Sequence, residues 1–184
     1  MIKTSTTQAR SATALLVLAA STLVGIAVHE GYKDEAYVPA RGDVPTIGFG
    51  TTSGVRMGDK TTPVRSLVRL LDEIENEYAE GVKRCVKVPL YQHEYEAYVS
   101  LAYNIGVPTF CRKALPGKPP NLIDLINAGE YAKACGRIEA FKYGPGKKIL
   151  PGLVKRRAEE RAICEGRKSG RQHASASGFE ALPE

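Results

Sequence analysis

The stretch SATALLVLAASTLVGIAV, residues 11 to 28, holds 18 consecutive residues without a charge, and Glu30 stands two positions beyond its end. At 1.5 Å per residue a helix of that length just crosses the hydrocarbon core of a bilayer. Lys3 and Arg10 precede it, with no acidic residue before position 29, so an inserted run would leave the N-terminus in the cytoplasm. Its composition argues against a tight anchor. Ten of the 18 residues are Ala, Ser, Thr or Gly, and Leu, Ile and Val supply only eight. Four readings stay open: a cleaved signal peptide ending near Gly25-Ile26-Ala27, a permanent anchor, a reversible signal-anchor that leaves the membrane, or a buried helix. The weak hydrophobicity favours the reversible anchor. Residues 1–28 are then expected to form a tether on the bacterial inner membrane, with the rest of the chain facing the periplasm.

The remaining chain changes character at once. VPTIGFGTT, residues 44 to 52, shows short apolar alternation between turn residues, which predicts a small β-hairpin or three short strands. Thr62-Pro63 suits an N-cap followed by proline in the first helical turn. Val64, Leu67, Leu71, Ile74, Tyr78 and Val82 then keep helical spacing, predicting one long amphipathic helix to about residue 84. Further helices are expected over 91–104 before Gly106, from Asn121 to a stop at Gly129, through EYAKACGRIEAF, and through LPGLVKRRAEERAICEG. The polar stretch 167–184 reads as a disordered tail. The expected fold class is α+β, mainly α, with a small β element near the N-terminus and an all-helical C-terminal lobe. Two lobes joined by a long helix make a cleft, and clefts suit extended polymers.

The net charge of +6 is concentrated late: residues 101 to 184 carry 15 basic and eight acidic groups. Such a surface attracts anionic polymers or lipid. No zinc-finger, RNP-like or helix-turn-helix pattern directs it to nucleic acid. Cys85, Cys111, Cys135 and Cys164 are spaced by 26, 24 and 29 residues, too widely for a zinc site of paired cysteines. In an exported chain an even count predicts two disulfides with three possible connectivities. Of these we expect Cys85–Cys111 and Cys135–Cys164. None of the four lies in the apolar run, so thiol exchange from a released tether has no donor there.

Four acids, Glu30, Asp34, Glu35 and Asp43, crowd the region after the run. Cleaving a glycosidic bond needs one protonated acid for the leaving oxygen and a second polar group for water or the cationic transition state. A glutamate at a helix end against apolar residues suits the first part, and a carboxylate or a hydroxyl such as that of Thr46 on a facing hairpin suits the second. Surface carboxylates without chemistry fit the same pattern. Tyr103, Asn104 and Gly106 read as a turn between helices, Phe110 as core, and Lys155, Arg156 and Arg157 as a solvated helix face. His29, His93 and His173 are too scattered for a metal site, although His29 adjoins Glu30.

HEGYKDEAYVPARGDVPTIGFGTT, residues 29 to 52, resembles the active-site region of phage-type lysozymes, the endolysins of the T4 lysozyme family. The shared pattern is Glu-Gly at a helix end, an aspartate in the hairpin, and a threonine opening a T-I-G-x-G strand. The long helix, YVSLAYNIGVPTFCRKAL and LPGLVKRRAEERA extend the resemblance over residues 28 to 166, and the apolar N-terminus is similar to that of the signal-anchor-release subgroup. The resemblance implies a two-lobed lysozyme-like domain over 29–166 that hydrolyses the β-1,4 bond between N-acetylmuramic acid and N-acetylglucosamine in peptidoglycan. It implies Glu30 as the acid, Thr46 as the catalytic threonine, no cofactor, and a monomer. The aspartate departs from the pattern. Where the family places it this chain has Ala40, whereas Asp43 lies three residues before Thr46, and the Glu30–Thr46 separation of 16 is one longer than usual. A bulged hairpin would let Asp43 supply the second carboxylate from a new position; Asp34, Glu35, or Glu30 and Thr46 alone are the rivals. A lytic transglycosylase of the same bond and a non-catalytic, holin-like or wall-binding membrane protein remain alternative functions.

Overall fold

In the computed structural model, which describes residues 9–40 and 42–168, the apolar run is part of the folded body. Only its second half is helical: α1 spans Ala20–Glu30 and stops at Gly31, whose φ of +72° suits a residue without a Cβ. Its length of roughly 16 Å is about half a bilayer core. No helix among the described residues is long and apolar enough to cross a membrane. The first half forms a short 3-10 turn, Thr13–Leu15, inside an otherwise extended strap.

That strap is fastened at several points. Ser11 exchanges two backbone hydrogen bonds of 2.9 Å with Leu90. The Thr13 hydroxyl donates to the Val88 carbonyl at 2.7 Å, and the Gln92 amide donates to the Val17 carbonyl at 2.6 Å. Arg10 grips Glu94 through two hydrogen bonds of 3.1 and 2.7 Å, with its guanidinium 4.1 Å from the Tyr91 ring centre and 3.7 Å from that of Tyr131. Leu16, Leu23, Ile26 and Ala27 enter the core, while Leu15 and Val17 stay largely in solvent.

β1 (Lys33–Tyr37) pairs antiparallel with β2 (Thr46–Gly48), with Lys33 opposite Gly48 and Tyr37 opposite Thr46. Four steps on β1 therefore face two on β2, which places a bulge inside β1. The other edge of β1 is covered by residues 59–61, through Ala36 N–H to the Asp59 carbonyl and Thr61 N–H to the Asp34 carbonyl. Of the two arrangements expected from the sequence, the small hairpin is the one formed, and the segment 59–61 that covers its edge lies beyond the stretch that predicted it. The hairpin lies on the long helix at Gly48, where a Cβ would fall 2.5 Å from the Ser66 hydroxyl.

The long helix runs as α2 (Pro63–Glu73), a π segment (Ile74–Ala79) and α3 (Glu80–Cys85). Thr62 caps it by accepting from Arg65 N–H, as its place before Pro63 predicts. One face, with Leu70, Ile74 and Val82 buried, meets the core, whereas Val64 remains in solvent. At the centre is α4 (Gln92–Ile105), buried continuously from Glu94 to Ala102. Around it pack α5 (Val107–Phe110), α6 (Leu122–Asn127), α7 (Tyr131–Arg137) and α8 (Pro151–Cys164). The stops at Gly106, Gly129 and Gly166 fall where the sequence places them, each with positive φ. Phe110 is core, as expected.

Both expected disulfides are formed. Cys85–Cys111 ties the end of α3 to the end of α5, and Cys135–Cys164 ties α7 to the last turn of α8. Closing loops of this length contributes about 3 to 4 kcal/mol each in the chain-entropy account. The tail expected over 167–184 lies outside the described residues from position 169 onward.

Candidate active site

Glu30 is the last residue of α1, and the reversal at Gly31 leaves its side chain at the edge of the packed body, 24% exposed. Its Oε1 accepts from Arg156 Nη1 at 2.9 Å. Oε2 faces the turn after β2, where a Cβ on Gly50 would stand 3.6 Å from it and 3.7 Å from the Tyr103 hydroxyl. Gly50, with φ +93°, leaves that approach open. Tyr103 donates to the Phe49 carbonyl at 3.4 Å and meets Tyr78 edge-on, ring centres 4.9 Å apart. Burial pushes the Tyr103 phenol well above its usual range, and the nearby charges of Glu30 and Glu73 add to the shift, so the group is a fixed O–H donor.

A cleft of about 610 Å³ opens beside Glu30. Val28, His29 and Glu30 line it from α1, Asn104 from α4, and Leu150, Gly152, Leu153, Lys155, Arg156 and Glu159 from α8 and the residue before it. Asn104, Leu150 and Leu153 also line a second hollow of about 540 Å³, which continues past Phe141 and Tyr143. The two hollows therefore adjoin along Asn104, Leu150 and Leu153, and the charged groups His29, Glu30, Lys155, Arg156 and Glu159 all stand in the first.

The other site residues expected from the sequence lie on the hairpin. Thr46 opens β2, buried, with its hydroxyl donating to the Val44 carbonyl at 3.1 Å. Asp43 is exposed in the loop between the strands, its N–H closing a turn on the Ala40 carbonyl at 3.0 Å. Neither hydrogen-bonds Glu30, and neither lines the cleft on the helical side. Glu35 pairs with Lys60 on the hairpin's outer side, and Asp34 is exposed beside it.

One expectation is overturned. Arg156 and Arg157 are not on a solvated helix face; they are 5% and 1% exposed. Both converge on Glu160, itself 2% exposed: Arg156 Nε reaches Oε1 at 3.2 Å, Arg157 Nη2 reaches Oε1 at 3.0 Å, and Arg157 Nε lies 2.8 Å from Oε2. Ser100 of α4 donates to the same Oε1 at 2.9 Å. Burial pushes the Glu160 carboxyl up and the Arg157 guanidinium down, each opposed by the other's charge. The sequence signal was present in the spacing, since Arg156 and Arg157 stand four and three residues before one glutamate, on the same helical face. Beside this cluster His29 Nε2 lies 3.3 Å from Glu159 Oε2. Two successive residues at the end of α1 therefore hold two successive turns of α8.

Comparison with known proteins agrees with this architecture. The sequence profile of the Phage lysozyme family matches residues 27–160. An endolysin of Acyrthosiphon pisum secondary endosymbiont phage 1 is 34% identical over 146 residues, covering 78% of this chain and 94% of its own. A SAR-endolysin of Pseudomonas phage phiKMV is 32% identical over 148 residues, covering 79% and 86%. Among solved structures, an endolysin from Escherichia coli O157:H7 phage FAHEc1 superposes with a TM-score of 0.71 at 29% identity, covering 85% of this chain and 96% of that one. A P22 lysozyme superposes with a TM-score of 0.70 at 25% identity, covering 82% and 99%.

Proposed function

The chain belongs to the phage lysozyme family, and from that premise we propose how this endolysin cuts peptidoglycan and where it waits before doing so. The substrate is the β-1,4 bond between N-acetylmuramic acid and N-acetylglucosamine. Glu30 gives its proton to the bridging oxygen as the bond from the muramic C1 breaks, and a water adds to C1 and loses its proton, with inversion. The observation that carries this reading is the placement of Glu30: a half-buried carboxylate lining a cleft of about 610 Å³, fixed at 2.9 Å by Arg156. Thr46 and Asp43 on the hairpin are the groups proposed to hold and activate that water. Lysis zymography of Glu30→Gln, Asp43→Asn and Thr46→Val on purified cell wall tests the assignment, and full activity in Glu30→Gln would sink it.

Before lysis, residues 11–28 are proposed to sit in the inner membrane as a helix, with the body in the periplasm and 29–166 as the catalytic unit. The SAR-endolysins among the relatives support this reading, and so does the composition of the run. Thr13, Thr22 and Gly25 are buried in the folded protein, and Thr22 and Gly25 meet Glu96, Ser100 and Glu159 across a narrow seam. Small and hydroxylated residues weaken the hold of lipid and also fit that seam. Leaving the membrane then requires the first half of the run to exchange helix for strap, while the second half becomes α1. The released enzyme acts in the periplasm as a monomer.

A further inference from the structure

The guanidinium of Arg156 is divided between two carboxylates. Its Nη1 holds Glu30 at 2.9 Å, and its Nε holds Glu160 at 3.2 Å. Glu30 arrives on α1, whereas Arg156, Arg157 and Glu160 stand on α8 and Ser100 on α4. Within α8 two arginines share the single carboxylate of Glu160, and Glu30 gives Arg156 a second partner from another helix. An unpaired buried charge is costly, and a planar guanidinium directs its partners more narrowly than an ammonium does.

We propose that Glu160 is a positioning residue for Glu30, holding Arg156 in a socket on α4 and α8 that receives and orients the carboxylate when α1 docks. This rests on Glu30 being the catalytic acid. Glu160 touches no substrate and acts through Arg156. Ser100 sets Glu160 from the neighbouring helix, and Arg157 closes the rear of the socket. The other charged or titratable groups around Glu30 are Tyr103 on α4, Tyr78 and Glu73 on the long helix, Lys155 of α8 lining the same cleft, and the His29–Glu159 pair; Glu96 lines the seam beside Glu160. None of them bridges Glu30 to a second helix as Arg156 does.

The full-length chain, purified in its released form, is assayed on peptidoglycan suspensions over a pH series as wild type, Glu160→Gln, Ser100→Ala, Arg156→Lys and Glu30→Gln. Glu160→Gln is expected to lower kcat about tenfold, with apparent KM changed by less than about twofold. The alkaline limb of its profile moves to lower pH, because loss of the Glu160 charge leaves the Arg156 guanidinium facing one carboxylate instead of two. Arg156→Lys is expected to lose kcat comparably, since an ammonium cannot bridge both carboxylates in one plane, and Ser100→Ala shifts the limb the same way by less. Wild-type kcat and an unmoved limb in Glu160→Gln overturn the proposal. If that variant does not fold, the same result in Ser100→Ala and Arg156→Lys overturns it. Activity losses that follow melting temperature alone, with the limb in place, also overturn it and leave a structural role. Retained activity in Glu30→Gln is a separate failure, of the acid assignment itself.

Discussion

Arg156 and Glu30 are 126 residues apart in the chain, and their side chains meet at 2.9 Å. The contact joins the last residue of the apolar run's helix to the closing helix of the domain. A free glutamate at a helix end samples several rotamers; this one is held by one atom of a guanidinium that is itself buried. Orientation of this carboxylate therefore depends on α1 being packed in place, which links the N-terminal run to the proposed chemistry.

Removing the acid should be far more damaging to lysis than to folding. Glu30→Gln is expected to cut lytic rate by at least about a hundredfold, with a far-UV spectrum like that of the wild type. Asp43→Asn and Thr46→Val are compared in the same turbidity assay; if Asp43 serves the water, its loss exceeds about tenfold.

Products report the reaction type. Hydrolysis leaves a reducing N-acetylmuramic acid end carrying the elements of water, while a transglycosylase leaves a 1,6-anhydro end. Mass spectrometry of digested cell wall is expected to show reducing ends, and a product set of anhydro ends would displace the hydrolase reading.

Export and release have a direct readout. The full-length chain is expected in the membrane fraction of expressing cells, and in the soluble periplasmic fraction after an uncoupler collapses the proton gradient, with the same N-terminal sequence in both. A shortened form found alone would assign the run to a cleaved signal.

The strap should be measurable as stability. Arg10→Ala leaves Glu94, 3% exposed, with the Tyr91 N–H at 2.8 Å as its partner among the described residues, and should cost about 2 kcal/mol. Double-mutant cycles with Glu94→Gln, read by urea denaturation, are expected to give coupling of about 1 kcal/mol or more.

Glu73 gives a pH signature. Burial pushes its carboxyl above the ordinary range, against the Thr51 hydroxyl at 3.2 Å and Arg69. A raised folded-state pKa means the native state binds the proton more tightly than the unfolded chain. Stability from this group is therefore full below the unfolded pKa and declines as pH rises through the folded one. Glu73→Gln is expected to melt higher than wild type at neutral pH, with the gain shrinking in acid; a gain constant with pH would refute the cause.

Helix boundaries were legible in the sequence because their signals are local. Thr62-Pro63, Gly106, Gly129 and Gly166 each act within one turn, whereas the cysteine spacing left three connectivities open and the packed helices bring together the pairs expected. The buried arginines were misread because their compensation is not local: Glu160 is one turn away, but Glu30 arrives from the far end of the chain. The π segment at Ile74–Ala79 left no composition signal, since a surplus residue is absorbed there under tertiary packing, whereas the irregular register in β1 agrees with the longer Glu30–Thr46 separation. The strap was hidden for a further reason. A run of uncharged residues reads as helix in hydrocarbon, where backbone groups must pair internally, and in water half of it finds partners at Val88, Leu90 and Gln92 instead.

Leu15 and Val17 are 77% and 70% exposed in the folded protein, and Val28 is 52% exposed, whereas Leu16, Leu23 and Ile26 are at most 8%. If the run serves two solvents in succession, its positions fall into two classes that one substitution series can separate. Glutamine at 15, 17 or 28 spoils only the first environment, giving a chain that folds yet never enters the bilayer. Glutamine at 16, 23 or 26 spoils both. A sequence written under both demands cannot be optimal for either, and under the proposed tether its uncovered leucine and valines are the positions that answer to the bilayer alone.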